Sequence, residues 1–179
     1  QLAFWMLRKM GTVGNYRRHV NLFVRGQQRG LIYEDSQQPS ADLINQWFSD
    51  DSNGDLHKIE DWFEFDDTGD SRLFNVDATL EKFTTTANQK KLARYRWNWR
   101  KRAVNDSASA YTNLFSLVDA VNATAPEPYT SATEALMDVD QWMKVFAIEH
   151  VVGNWDAYGY NRGKNMYAYK PKTGKWMLI

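Results

Sequence analysis

Residues 138–152 carry apolar side chains at Val139, Trp142, Met143, Val145, Phe146, Ile148, Val151 and Val152. That spacing predicts a helix with apolar positions around most of its circumference, so it should be buried on several sides and be the most buried helix of the chain. Gly153 is placed to stop it. The next stretch, "GNWDAYGYNRGKNMYAY" (153–169), is polar and glycine-punctuated, and it runs into a closing hairpin about Pro171 to Gly174. A polar loop pinned between an apolar helix and a strand either turns the chain or holds reacting groups at the edge of a rigid core.

The rest of the chain supplies partners for that helix. Residues 2–10 suit a helix with Leu2, Trp5, Met6 and Met10 on one stripe and Gly11 as its stop. "HVNLFVRGQQRGLIYE" alternates in the manner of a β-hairpin, with Gly26 and Gly30 bracketing its turn. Ser40 is a candidate N-cap for "ADLINQWF", and an acid-rich region at 50–70 surrounds a strand at "LHKIEDWFEF". Asn88 to Arg102 reads as a basic helix whose Leu92, Tyr95 and Trp99 face inward while Lys90, Arg94 and Lys101 face water. A further helix is expected over about 108–121, and Ser131 to Glu134 matches a capping box. This order predicts an α+β protein of two unequal parts, about 1–87 with the hairpin and about 88–179 mostly helical.

Composition narrows the function. The 179 residues include 43% hydrophobic and 15% aromatic side chains, enough for a real core. Basic and acidic residues balance at 22 each, so no net field draws the chain to nucleic acid or an anionic membrane. Cysteine is absent, which removes disulfides, thiolate metal sites and cysteine nucleophiles together. No run of about 18 apolar residues is present to span a membrane, and "QLAFWMLRKMG" has its charges on the wrong side for a secretory leader. "KKLARYRWNWRKR" (90–102) interleaves Arg and Lys with aromatics as single-strand binders do, but the inward stripe explains its aromatics as core, so nucleic acid is not expected as a partner.

Several motifs, in order and spacing, resemble the spore-coat protein H (CotH) kinase family: Asp138-Val139-Asp140 at a helix start, Asn154-Trp155-Asp156, Asn165-Met166-Tyr167-Ala168-Tyr169, and Thr173-Gly174-Lys175. The hairpin "VNLFVRGQQRGLIYE" is similar too, with Arg25 at a turn position where the family usually has Asn. The resemblance is weak between about 50 and 130. It implies a kinase-like two-lobed fold, ATP as phosphoryl donor, magnesium, and a protein substrate such as a coat or surface protein, with a spore-coat, cell-surface or secreted location. Asp156 is similar to the catalytic-loop aspartate that orients and deprotonates the acceptor hydroxyl. A metal-binding asparagine lies downstream in kinases: Asn161 has the ordinary five-residue offset, and Asn165 better fits this family. Glu34 matches a family glutamate and is a candidate nucleotide-facing residue, with a strand-end salt bridge as the plain alternative. The family continues past the closing strand into an aspartate-bearing segment and begins with strands upstream, so the resemblance implies a domain incomplete at both ends and inactive by itself. The competing function is a non-catalytic coat-assembly or surface-binding module on the same fold.

Overall fold

In the computed structural model, residues 2–65, 72–76, 78–103, 107–158 and 163–179 are described. The centre is an antiparallel four-stranded sheet of β3 (Asp55–Ile59), β6 (Trp99–Ala103), β7 (Met166–Lys170) and β8 (Met177–Leu178), in the order β6-β3-β7-β8. Register explains its two faces. Leu56 lies opposite Tyr169 and Lys58 opposite Tyr167, whereas His57 pairs with Ala168 and Ile59 with Met166. Successive side chains of a strand point to opposite faces. Leu56, Tyr169 and Tyr167 therefore form a small core with Ile44 of α2 (Ala41–Trp47), Phe48 and Ile179. Ile59, Met166, Ala168 and Leu178 join the large core on the other face. That core takes Tyr95 from α3 (Leu92–Asn98), Leu114, Leu117 and Val118 from α4 (Thr112–Val121), Met137, and Trp142, Val145 and Ile148 from α6 (Val139–Val151).

Two smaller units complete the described fold. β1 (Arg17–Val24) and β2 (Gln27–Ser36) form a separate antiparallel ribbon, and β4 (Trp62–Phe65) pairs only with β5 (Arg72–Val76). Helices α1 (Leu2–Lys9) and α5 (Tyr129–Leu136) pack on α6 and α4 respectively. Mixed helices and antiparallel sheets match the α+β expectation.

Several local expectations need correction. α6 buries one face: Gln141, Trp142, Val145 and Ile148 are buried, but Met143 is 52% and Val151 73% exposed. Its four buried residues out of thirteen compare with four out of ten in α4, so α6 is not the most buried helix. α1 turns Leu7, with Phe4 and Met6, toward the core and leaves Leu2, Trp5 and Met10 exposed. The basic segment is helical only to Asn98, after which Trp99–Ala103 becomes a sheet-edge strand beside β3. Tertiary pairing overrides helix propensity there, and it brings opposite charges together as Lys101–Asp55 at 3.4 Å and Arg100–Glu60 at 3.1 Å. Tyr95 and Trp99 are fully buried and Leu92 half-buried as expected, but the Lys101 side chain is only 4% exposed, against expectation.

The predicted capping box fails because α5 starts at Tyr129, placing Ser131 inside it, where Ser131 Oγ instead donates to Glu127 at 2.6 Å. Ser40 stands at the N-cap of α2 without a side-chain cap bond. The single strand expected at 56–65 is two strands, interrupted at Glu60-Asp61. In the ribbon the turn is Arg25-Gly26, both at positive φ (54° and 76°), and Gly30 (φ 60°) lies within β2 at an irregularity of register. A non-glycine residue in the left-handed region costs about 1–2 kcal/mol, less for Asn, which is the physical reason for Asn at the position that Arg25 fills here.

Candidate functional site

A cleft of about 560 Å³ opens where the base of the ribbon, α1, the end of α6 and the start of β7 meet. Its polar lining includes Asn15 and Arg17 ahead of and on β1, Lys58 on β3, Glu149 and Asn154 at the end of α6, and Asn165 before β7. Phe4, Leu7, Val145 and Met166 supply apolar wall.

The loop that carries the candidate residues is built by short-range bonds. Gly153 sits at φ 67°, a left-handed helix stop that glycine adopts without a Cβ penalty. Asn154 N–H then donates back to Glu149 O at 2.9 Å, and the Asn154 amide also donates to the Glu149 carboxylate. Downstream, Lys164 N–H donates to Asp156 O at 3.1 Å, and Tyr158 N–H reaches Met166 Sδ at 3.0 Å. The Tyr158 ring packs between Trp99, Trp142 and Phe146, and its hydroxyl accepts from Leu80 N at 2.9 Å. Burial pushes that hydroxyl well above the usual tyrosine range. Tyr158 thus nails the middle of the loop to the large core.

Asp156 is half-buried and pairs with Lys164 Nζ at 3.5 Å; Lys164 Nζ also lies 3.9 Å from Asp61. Asp156 does not line the cleft. Asn165 does, and it follows Lys164 directly in the chain, so the loop links Asp156 to the cleft through one lysine. Asn165 is exposed, with φ 59°, a conformation asparagine tolerates better than most residues. Glu34 lies outside the cleft lining as well, and accepts both of its hydrogen bonds from Arg17 Nη1, each at 3.3 Å. The strand-end salt bridge is therefore present, and it steadies an arginine that does line the cleft. Asn161 lies outside the described residues.

Three contributors went unread in the sequence: Arg17, Lys58 and Lys164. Lys58 Nζ is held by Glu60 Oε2 at 2.6 Å, and the same oxygen accepts from Arg100 Nη2 at 3.1 Å. Burial alone would raise the Glu60 carboxyl; the hydrogen bonds and charges of Lys58 and Arg100 outweigh it and hold the group below the usual carboxylate range. A lysine inside an alternating strand is the available signal for Lys58. Nothing comparable marks Arg17, whose place depends on where the ribbon meets α1.

A lysine and an arginine in the lining of a partly apolar cleft suit an anion with an apolar body. Among the described residues, no group of three or more His, Cys, Asp or Glu side chains stands ready to hold a metal ion. Magnesium needs less, since it takes one or two protein oxygens and completes its shell with phosphate and water. Of the two candidate oxygen donors described on this loop, Asn165 lines the cleft and Asp156 is paired with Lys164. No helix among the described residues is long and apolar enough to cross a membrane.

The model of one protein family, the CotH kinase protein family, matches residues 1–179. No curated protein and no solved structure matches the chain.

Proposed function

The chain belongs to the CotH kinase family, and from that premise we propose that it supports ATP- and magnesium-dependent phosphoryl transfer to a hydroxyl of a protein substrate. The observation that supports this reading is the cleft lined by Arg17, Lys58 and Asn165, the last on the loop that bears Asp156. Arg17 and Lys58 bind phosphate oxygens, each oriented by a carboxylate, Glu34 and Glu60 respectively. Glu34 thus serves the nucleotide through Arg17. Asn165 would hold magnesium through its amide oxygen, and the ion would supply charge neutralisation on the phosphates. Asp156 orients the acceptor hydroxyl and takes its proton, and Lys164, 3.5 Å away, keeps that carboxylate directed. The loop's anchoring by α6, Tyr158 and β7 gives the rigidity that positioned catalysis needs.

Titration calorimetry with magnesium and ATP tests this in the full-length protein. Lys58→Ala removes one charge-assisted contact, normally about 1.5–3 kcal/mol, and is expected to weaken binding roughly 10- to 150-fold. Equal affinity in the variant would place the nucleotide elsewhere.

One observation favours the alternative of a non-catalytic binding module. The ribbon exposes Leu31 (88%), Ile32 (65%) and Phe23 (59%), more apolar surface than a free-standing hairpin normally tolerates. No nucleotide binding at all, with folding intact, would move the assignment to that reading.

A further inference from the structure

The cleft holds one negative charge that the nucleotide reading leaves unused. Its two cations are already matched, Arg17 by Glu34 at 3.3 Å and Lys58 by Glu60 at 2.6 Å. Glu149 is the one carboxylate among the described lining residues, and it forms no ion pair among the described residues.

Glu149 stands two residues before the end of α6 and is half-buried. The Asn154 amide donates to its Oε2 and so fixes the carboxylate in place. Oε1 accepts no hydrogen bond among the described residues. A half-buried carboxylate with one oxygen free and no cation beside it leaves its charge for a ligand to match. Asn165 lines the same cleft from the start of β7, and its amide makes no hydrogen bond among the described residues. One carboxylate oxygen and one amide oxygen suit a hard divalent cation, which fills the rest of its shell with water and phosphate. Glu149 and Asn154 also border a hollow of about 130 Å³ with His150, Gly153 and Trp155, where Asn165 has no part. Consecutive helix residues do not face one another, so Glu149 and His150 are poorly placed to share an ion there.

We infer that Glu149 and Asn165 together hold the divalent cation of the cleft, with Asn154 as the positioning residue for the carboxylate. The identity of that ion as magnesium rests on the phosphoryl-transfer reading; the two oxygen ligands do not. Asp156, paired with Lys164, is then left free of the metal and available to the acceptor hydroxyl.

Mn²⁺ is the probe, because oxygen sites that suit magnesium also suit manganese. Its EPR signal reports the free ion in titrations of the full-length protein without nucleotide. Glu149→Gln keeps an oxygen for the Asn154 amide, and in Asn165→Gly glycine adopts the positive φ freely, so both variants should keep the wild-type melting temperature. Losing a group that only orients a metal ligand typically costs roughly 10- to 100-fold in affinity, and losing the ligand should cost no less. Each variant is therefore expected to weaken Mn²⁺ binding by about tenfold or more. Three results would each overturn the inference: no Mn²⁺ uptake by the wild type, affinity unmoved by Glu149→Gln, or affinity lost in Glu149→Gln but kept in Asn165→Gly, which puts the ion in the hollow beside His150. Calorimetry with ATP on the same proteins separates the two readings. Failure of ATP to bind a protein that shows the expected Mn²⁺ pattern would strike the nucleotide reading and leave the metal ligands assigned.

Discussion

Replacing Gln141 by Met takes two hydrogen bonds from the outer edge of the four-stranded sheet and keeps most of the side-chain volume. Gln141, only 8% exposed, donates Nε2 to Leu178 O at 2.6 Å and accepts from Leu178 N at 2.8 Å. β8 is the sheet's edge strand, so this amide stands where a fifth strand would otherwise pair. Leu178 is fully buried, and neither of its backbone groups would find water in the variant. Each orphaned group costs about 1–3 kcal/mol, giving about 2–6 kcal/mol for the pair. A domain of this length is stable by about 5–15 kcal/mol. At about 2–4 °C per kcal/mol, a loss of about 3 kcal/mol lowers Tm by about 6–12 °C. Urea denaturation with an unchanged slope is the assay, because a change confined to the midpoint reports stability alone. Gln141→Glu separates the two bonds: its carboxylate still accepts from Leu178 N but sets oxygen against Leu178 O, so it should be no milder than Met. A cost below about 1 kcal/mol for Gln141→Met would refute the reasoning, since such values belong to groups that water can reach.

Trp99→Ala should cost about 3–5 kcal/mol by denaturant titration, since Trp99 is fully buried and packs edge-on against Tyr158 and Trp176. Gly54→Ala should destabilise by more than the usual 1–3 kcal/mol of an overpacked site, because its Cβ would lie 2.0 Å from Lys170 O, a backbone atom of β7 that cannot step aside. The Asp51 carboxyl accepts from the Thr173 hydroxyl and from the Thr173 and Lys172 amides, and the Thr173 bonds lead in holding it below the usual carboxylate range. Its folded-state value being lowered, the closing turn keeps this anchor above the ordinary value near pH 4 and loses it as pH falls through the folded one. The protection of the Lys172 and Thr173 amides, measured against their intrinsic exchange rates, should fall in acid, and in Asp51→Asn it should already be reduced at neutral pH.

The closing half of the fold was legible because its signals are local. Gly153, the aromatic alternation of Met166 to Tyr169 and the Pro171 to Gly174 turn each fix their own backbone. The same holds for the Arg25-Gly26 ribbon, though Gly30 was misplaced because two nearby glycines cannot be ranked from spacing alone. Residues 99–102 were read as helix since their strand conformation comes from β3, forty or more residues earlier, and from charges that meet only across the sheet. Nothing local marks Gln141, whose role is set by a strand 37 residues later. At the site, Asp156 and Asn165 were named from motifs, but their lysine was not. Lys58 and Arg17 enter the cleft through tertiary placement, which no short motif encodes.

The central claim, that Asp156 serves phosphoryl transfer, is tested most directly by single-turnover transfer from γ-labelled ATP in the full-length protein, wild type against Asp156→Asn. Amide nitrogen cannot take the acceptor proton, so the account predicts unchanged folding and nucleotide affinity with a rate lower by about 10²–10⁴-fold, the range for a lost general base. Equal rates in the two proteins would contradict it and leave Asp156 as the turn residue that pairs with Lys164.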